Sequence, residues 1–231
     1  MTQAPDWWAR PRDTCILVDN ESWVLPHAEA LLRDIRAAGD RCELVRRSED
    51  VPSGVVAFLL GCTQITPREV LGRNRYNLVV HESDLPKGRG FAPMSWAVLE
   101  GASEITVCLV EAVEDVDAGD IFGRTTISLN GIELCAELRC LQGEATLKLC
   151  QEFLSSPVPP AATPQLGSPS WYKRRRPADS RLDPEQSLAA QFDLLRIVDN
   201  ERYPAFFDFR GRRYRLRIDD MGPAGGISDD E

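Results

Sequence analysis

What this chain lacks narrows the field before any motif is considered. No apolar run approaches the roughly 20 residues that a membrane helix needs. The opening MTQAPDWWARPRDT has no apolar core of the secretory type, so the expectation is a cytoplasmic protein with no membrane partner. No CxxC pair is present, which removes the spacing that marks a zinc site. The seven cysteines, Cys15, Cys42, Cys62, Cys108, Cys135, Cys140 and Cys150, are odd in number. Most sit inside apolar runs, as reduced packing residues do. Excess positive charge is also missing. A net charge of −9 argues against a nucleic-acid polymer as partner.

What is present is a regular alternation. Cys15–Asp19, Cys42–Val45, Val55–Leu60 and Asn77–His81 are short apolar runs that read as strands. Between the first two, Leu25, Ala28, Leu31, Leu32 and Ile35 recur at helical spacing, with Pro26 in the first turn and Gly39 past the end. Thr66–Leu71 carries a helix-entry signal and Ala92–Glu100 reads as helix. Ile105–Ala112 and Asp120–Leu129 are further strands. Asn130 is placed to cap a helix reaching about Leu154, with Gly143 as an interruption. Such alternation predicts an α/β fold: a Rossmann-like, mostly parallel sheet with helices on both faces.

Ser155–Ser170 contains five prolines and must run extended over the surface. Beyond it, Pro184–Val198 reads as an amphipathic helix, and AFFDF and RYRLRI as a hairpin. The expected organisation is an N-terminal extension (1–12), a catalytic domain (13–155), a Pro/Arg-rich connection (156–183), a small C-terminal α+β helix–hairpin subdomain (184–221) and a disordered tail (222–231). Residues 172–218 hold twelve Lys/Arg against seven Asp/Glu. A local positive excess on an acidic chain fits an anion site, or else a solvated face.

Two histidines exist, His27 and His81. His27 falls on a predicted helix and reads as a surface or core-edge residue. His81 ends a strand, and sites in open parallel sheets form at the carboxyl ends of strands. Glu111–Asp120 follows another strand end, and five of its ten residues are acidic. Its spacing does not match a Ca²⁺ loop, so no metal is expected there.

HESDLPKGRGFAP, a helix, a strand and then VDAGDI together resemble the folate-dependent formyltransferase family. Methionyl-tRNA formyltransferase, glycinamide ribonucleotide transformylase and the sugar N-formyltransferases belong to it. The family signature is a strand ending Asn-x-His, a loop S-L-L-P-x-x-x-G and a later loop L-D-x-G-x-I. Here His81 fills the histidine position, Ser83–Pro86 with Gly90 the first loop, and Asp117, Gly119 and Ile121 the second. The separation of 36 residues between His81 and Asp117 also suits the family. The resemblance covers about Ile16–Leu154. RRRPADSRLD and LLRIVDNERYPAFF further resemble the segment after the catalytic domain in several sugar N-formyltransferases.

The resemblance implies an enzyme that moves a formyl group from 10-formyltetrahydrofolate to an amine, here that of a nucleotide-linked amino sugar. An amino acid or other small amine is the alternative acceptor, and a catalytically impaired folate- or nucleotide-binding relative the alternative role. His81 and Asp117 take the catalytic positions, and such enzymes are often homodimers. Leu85, Gly90, Val113 and Asp120 are the expected folate contacts, and Ser83, Tyr172, Arg175 and Arg196 the expected substrate contacts. One departure stands out. Val79 occupies the place of the family asparagine, and valine cannot donate to an oxyanion. The family's N-terminal glycine motif is absent too, with DNESWVLPH in its place.

Overall fold

The computed structural model describes residues 4–224. Six strands form one sheet in the order β2-β1-β3-β4-β6-β7. These are β1 (Asp13–Leu17), β2 (Arg41–Val45), β3 (Gly54–Leu59), β4 (Asn74–His81), β6 (Glu104–Glu111) and β7 (Ile121–Ser128). The first four pair in parallel, whereas β6 is antiparallel to both β4 and β7. The apolar runs form the central strands because both faces are covered. On one face α1 (Leu25–Ala37) and α4 (Cys135–Ser155) bury Ile16, Phe58, Leu78 and Leu109. On the other, a smaller cluster of Leu17, Ala57 and Leu59 lies under Val70 of α2 (Arg68–Leu71). A short strand, β5 (Arg89–Gly90), and α3 (Pro93–Leu99) follow β4.

Several local expectations change. Asn130 does not cap α4. The Glu133 carboxylate accepts the N–H groups of Asn130 and Gly131, which folds 130–134 into a turn and delays the helix to Cys135. Gly143 does not interrupt α4. A Cβ there would lie 2.3 Å from the His27 ring, so the glycine lets α1 and α4 approach. Residues 4–12, set apart by sequence, join the core. Trp8 is 3% exposed and meets Phe153 edge-on at 5.7 Å. Arg12 stacks over Trp8 and forms a buried ion pair with Asp40 at 2.6 Å.

The proline-rich segment leads to β8 (Trp171–Tyr172), which pairs with β5. On the way, Thr163 exchanges hydrogen bonds with Ile121 at the sheet edge. The long helix expected over 184–198 is short: α5 covers only Phe192–Arg196, preceded by a single 3-10 turn. Gln191 explains this, because its side chain folds back on Asp183 and Leu188 stays 63% exposed. β9 (Ala205–Phe209) and β10 (Arg212–Leu216) form the hairpin. Leu182, Leu195, Val198 and Ala205 give this C-terminal unit its own small core. Of the tail expected from residue 222, residues 225–231 lie outside the described residues.

Candidate active site

β4 delivers His81 to the carboxyl edge of the sheet, where the residue is 5% exposed. Its Nε2 lies 2.8 Å from the Gly88 carbonyl oxygen, which can only accept, so Nε2 carries the hydrogen. Its Nδ1 lies 3.6 Å from Oδ1 of Asp117. Both ring nitrogens therefore face acceptors supplied by the protein.

Asp117 is held from several directions. Its backbone is left-handed, at φ 55°, a conformation aspartate tolerates better than most residues. Oδ2 accepts the Gly90 N–H at 2.9 Å. Gln165 of the connecting segment donates to the carbonyls of Asp117 and Gly119, both at 2.8 Å, and accepts from Arg89 at 2.6 Å. Gly119 has no room for a side chain, since a Cβ would sit 2.1 Å from the Glu111 carbonyl oxygen.

These groups open onto a cleft of about 610 Å³. Its two walls differ because side chains alternate along β4. Val79 points to the wall made by Ile65, Leu71, Ala112, Val113 and Val116, which is apolar although Ile65 is 74% exposed. Away from Val79, α4 supplies Leu138, Arg139 and Gln142, and Trp23 and Arg174–Arg176 also line the cleft. Glu82 lies toward α4, and Gln142 Nε2 donates to its carboxylate. Burial pushes the Glu82 carboxyl up from its ordinary value, against the opposing effect of His81.

A formyl transferase family model matches residues 43–131, a span that includes both His81 and Asp117. Over that span the chain is similar to the formyltransferase family. Methionyl-tRNA formyltransferase from Streptococcus gordonii is 29% identical over 167 residues, covering 71% of this chain and 52% of that protein. The chain thus spans about half the length of this curated relative. Methionyl-tRNA formyltransferase from Clostridium thermocellum has a similar structure, with a TM-score of 0.78 at 20% identity over 91% of this chain and 93% of the other. A Mycobacterium tuberculosis protein described as a likely sugar N-formyltransferase gives a TM-score of 0.70 at 18% identity, over 92% and 100%. The expected mostly parallel α/β fold is shared with these structures.

The expected site residues separate. His81, Asp117, Gly90, Val113 and Arg175 all line the cleft. Leu85 instead is buried with Cys108, Val110 and Ile121 under the loop. The Ser83 hydroxyl is buried and has no partner among the described residues. Asp120 sits behind the loop, where its carbonyl accepts the Glu111 N–H. Tyr172 stacks on Trp96 and donates to Glu100 at 2.6 Å; burial and that carboxylate push its hydroxyl up to about 12. Arg196 is 3% exposed and bound to Glu133 at 2.8 Å, which makes it a structural ion rather than a cleft residue. Glu82, Gln142 and Gln165 were not legible as site residues. Each is an ordinary polar residue whose position acquires meaning only from the fold. No group able to hold a metal is found among the described residues, and no described helix is long and apolar enough to cross a membrane.

Proposed function

We propose that this chain transfers the formyl group of 10-formyltetrahydrofolate to the amine of a nucleotide-linked amino sugar. The observation that carries this reading is the run Arg174–Arg176 in the lining of the cleft. Arg175 is half-buried, and its Nη1 has no partner among the described residues. Burial lowers its pKa, although Asp179 opposes the shift. A diphosphate would supply that partner through paired hydrogen bonds. The apolar wall of Ile65, Val79, Val113 and Val116 suits the flat rings of a folate. The folate and the acceptor then meet beside His81 and Asp117.

In the reaction the amine attacks the formyl carbon and negative charge gathers on the former carbonyl oxygen. His81 is assigned to that oxygen, and Asp117 to holding the ring in place. The similarity to a likely sugar N-formyltransferase supports a small-molecule acceptor. Incubation with 10-formyltetrahydrofolate and a panel of nucleotide amino sugars, followed by mass spectrometry, should reveal the gain of one formyl group. Thermal shift with UDP, GDP, dTDP and CMP should identify the nucleotide, and Arg175→Ala should abolish the shift. Val79 favours a second reading, a folate-binding relative without activity. Retained folate binding with no formylated product from any amine would select it.

A further inference from the structure

The catalytic assignment above leaves the proton unplaced. The attacking nitrogen must lose one, and the folate nitrogen must gain one. His81 is already assigned to the oxyanion through Nδ1, which lies 3.6 Å from Asp117, because Nε2 is committed to the Gly88 carbonyl. Asp117 is committed too, to His81 and to the Gly90 N–H. Val79 offers no polar atom.

Glu82 is the next residue along the chain. Alternation at the end of β4 turns its side chain away from Val79 and toward α4, where Gln142 donates to it. Both residues line the cleft, as Arg174–Arg176 do. An acceptor whose phosphates are held by those arginines would bring its amine into the same cleft. A carboxylate that is half-buried, has one neutral amide partner and forms no ion pair has no evident structural task. Elsewhere in the chain, buried acids such as Asp40 and Glu133 are tied to arginines.

We propose that Glu82 is the catalytic base that takes the proton from the attacking amine and returns it to the departing folate nitrogen. The inference rests on the formyl-transfer reading above. The amine lone pair forms the new N–C bond, and the carbonyl π pair moves to oxygen. Glu82 removes the proton from that nitrogen. The oxygen pair then re-forms the C=O bond as the bond from carbon to the folate nitrogen breaks. The departing pair receives the proton from Glu82, giving a formamide and tetrahydrofolate, with the carboxylate restored.

The environment suits the task. Burial holds the Glu82 carboxyl above its usual range, nearer the pH at which a proton shuttle works best. The charged groups that act on it are His81 on its own strand, which opposes the shift, and Asp117 from the loop after β6, which adds to it. From α4 it meets the neutral Gln142, while Arg139 on the same helix is neutralised by Asp199 at 2.9 Å.

The test compares wild type with Glu82→Gln and Glu82→Asp. The acceptor is the amino sugar found in the panel or, failing one, hydroxylamine at high concentration. Release of tetrahydrofolate is measured across pH, and folate binding is measured separately. Glutamine keeps the shape and can still accept from Gln142, so a merely structural Glu82 predicts near-normal turnover. The base predicts a fall in kcat of about a hundredfold or more with folate binding intact. It also predicts that the acid-side decline of kcat/KM in wild type disappears in Glu82→Gln and returns in Glu82→Asp. An active wild type with unchanged turnover and pH profile in Glu82→Gln overturns the inference alone. A wild type that binds folate but releases no tetrahydrofolate with either acceptor overturns the formyl-transfer reading, and this inference with it.

Discussion

At the residue scale, two arginines from the same basic stretch have opposite fates. Arg175 faces the cleft with an unpaired nitrogen, and Arg196 is buried against Glu133. Nothing in their local sequence separates them, because the distinction is one of burial and pairing. That His81 and Asp117 meet was legible, by contrast, only through the motif resemblance, since His81 closes β4 but Asp117 lies in the loop after the antiparallel β6. Their proposed roles make a direct prediction. His81→Gln and Asp117→Asn preserve approximate size but remove the imidazole and the carboxylate. Each should lower kcat for formyl transfer by about a hundredfold, with little change in folate affinity. Near-normal turnover in both variants would remove the pair from the chemistry.

At the scale of elements, the loop between β6 and β7 carries Asp117 into position, and Gly119 sets its path. A methyl group at Gly119 cannot coexist with the Glu111 carbonyl, which is backbone and cannot swing aside. Gly119→Ala should therefore displace the whole loop, lowering the melting temperature and depressing activity together. A variant with normal melting and normal kcat would mean that the loop tolerates another path. The sheet strands were readable because each is buried on both faces and so becomes a short apolar run. The helix ends were not, for side chains decide them. The Glu133 carboxylate captures two backbone N–H groups that a helix from Asn130 would have used, and Gln191 turns back on Asp183 where an amphipathic pattern suggested continuous helix. Gln165 shows the same limit. A glutamine within a proline-rich connection signals nothing by itself, yet it ties the Asp117 loop to the Arg89 loop.

At the scale of the whole molecule, the C-terminal unit completes the cleft. Ser180, Ile197, Asp199 and Tyr203 line it alongside residues of the main sheet. The unit is fastened to the turn before α4 by the buried Arg196–Glu133 pair and to α4 itself by Arg139–Asp199 at 2.9 Å. Burial alone would raise the Glu133 carboxyl. The N–H groups of Asn130 and Gly131 and the charge of Arg196 outweigh it and hold the pKa below the ordinary 4.5. Asp199 is lowered in the same sense, against its own burial, by N–H donors and Arg139. A depressed carboxylate contributes stability that is fully present above its unfolded pKa and lost as pH falls through the folded one. Docking should therefore hold at neutral pH and weaken as pH drops below the ordinary carboxylate range. Arg196→Ala leaves Glu133 buried without its cation, a change that costs about 3–5 kcal/mol in comparable pairs. Urea unfolding should show that loss at neutral pH and a smaller difference between variant and wild type in acid, where protonated Glu133 no longer needs the arginine. Because the undocked unit no longer lines the cleft, the variant's residual activity should show a raised KM for the proposed acceptor and an unchanged affinity for folate. A destabilisation that stays the same at both pH values would place the effect in lost packing of the arginine stem rather than in the ion pair.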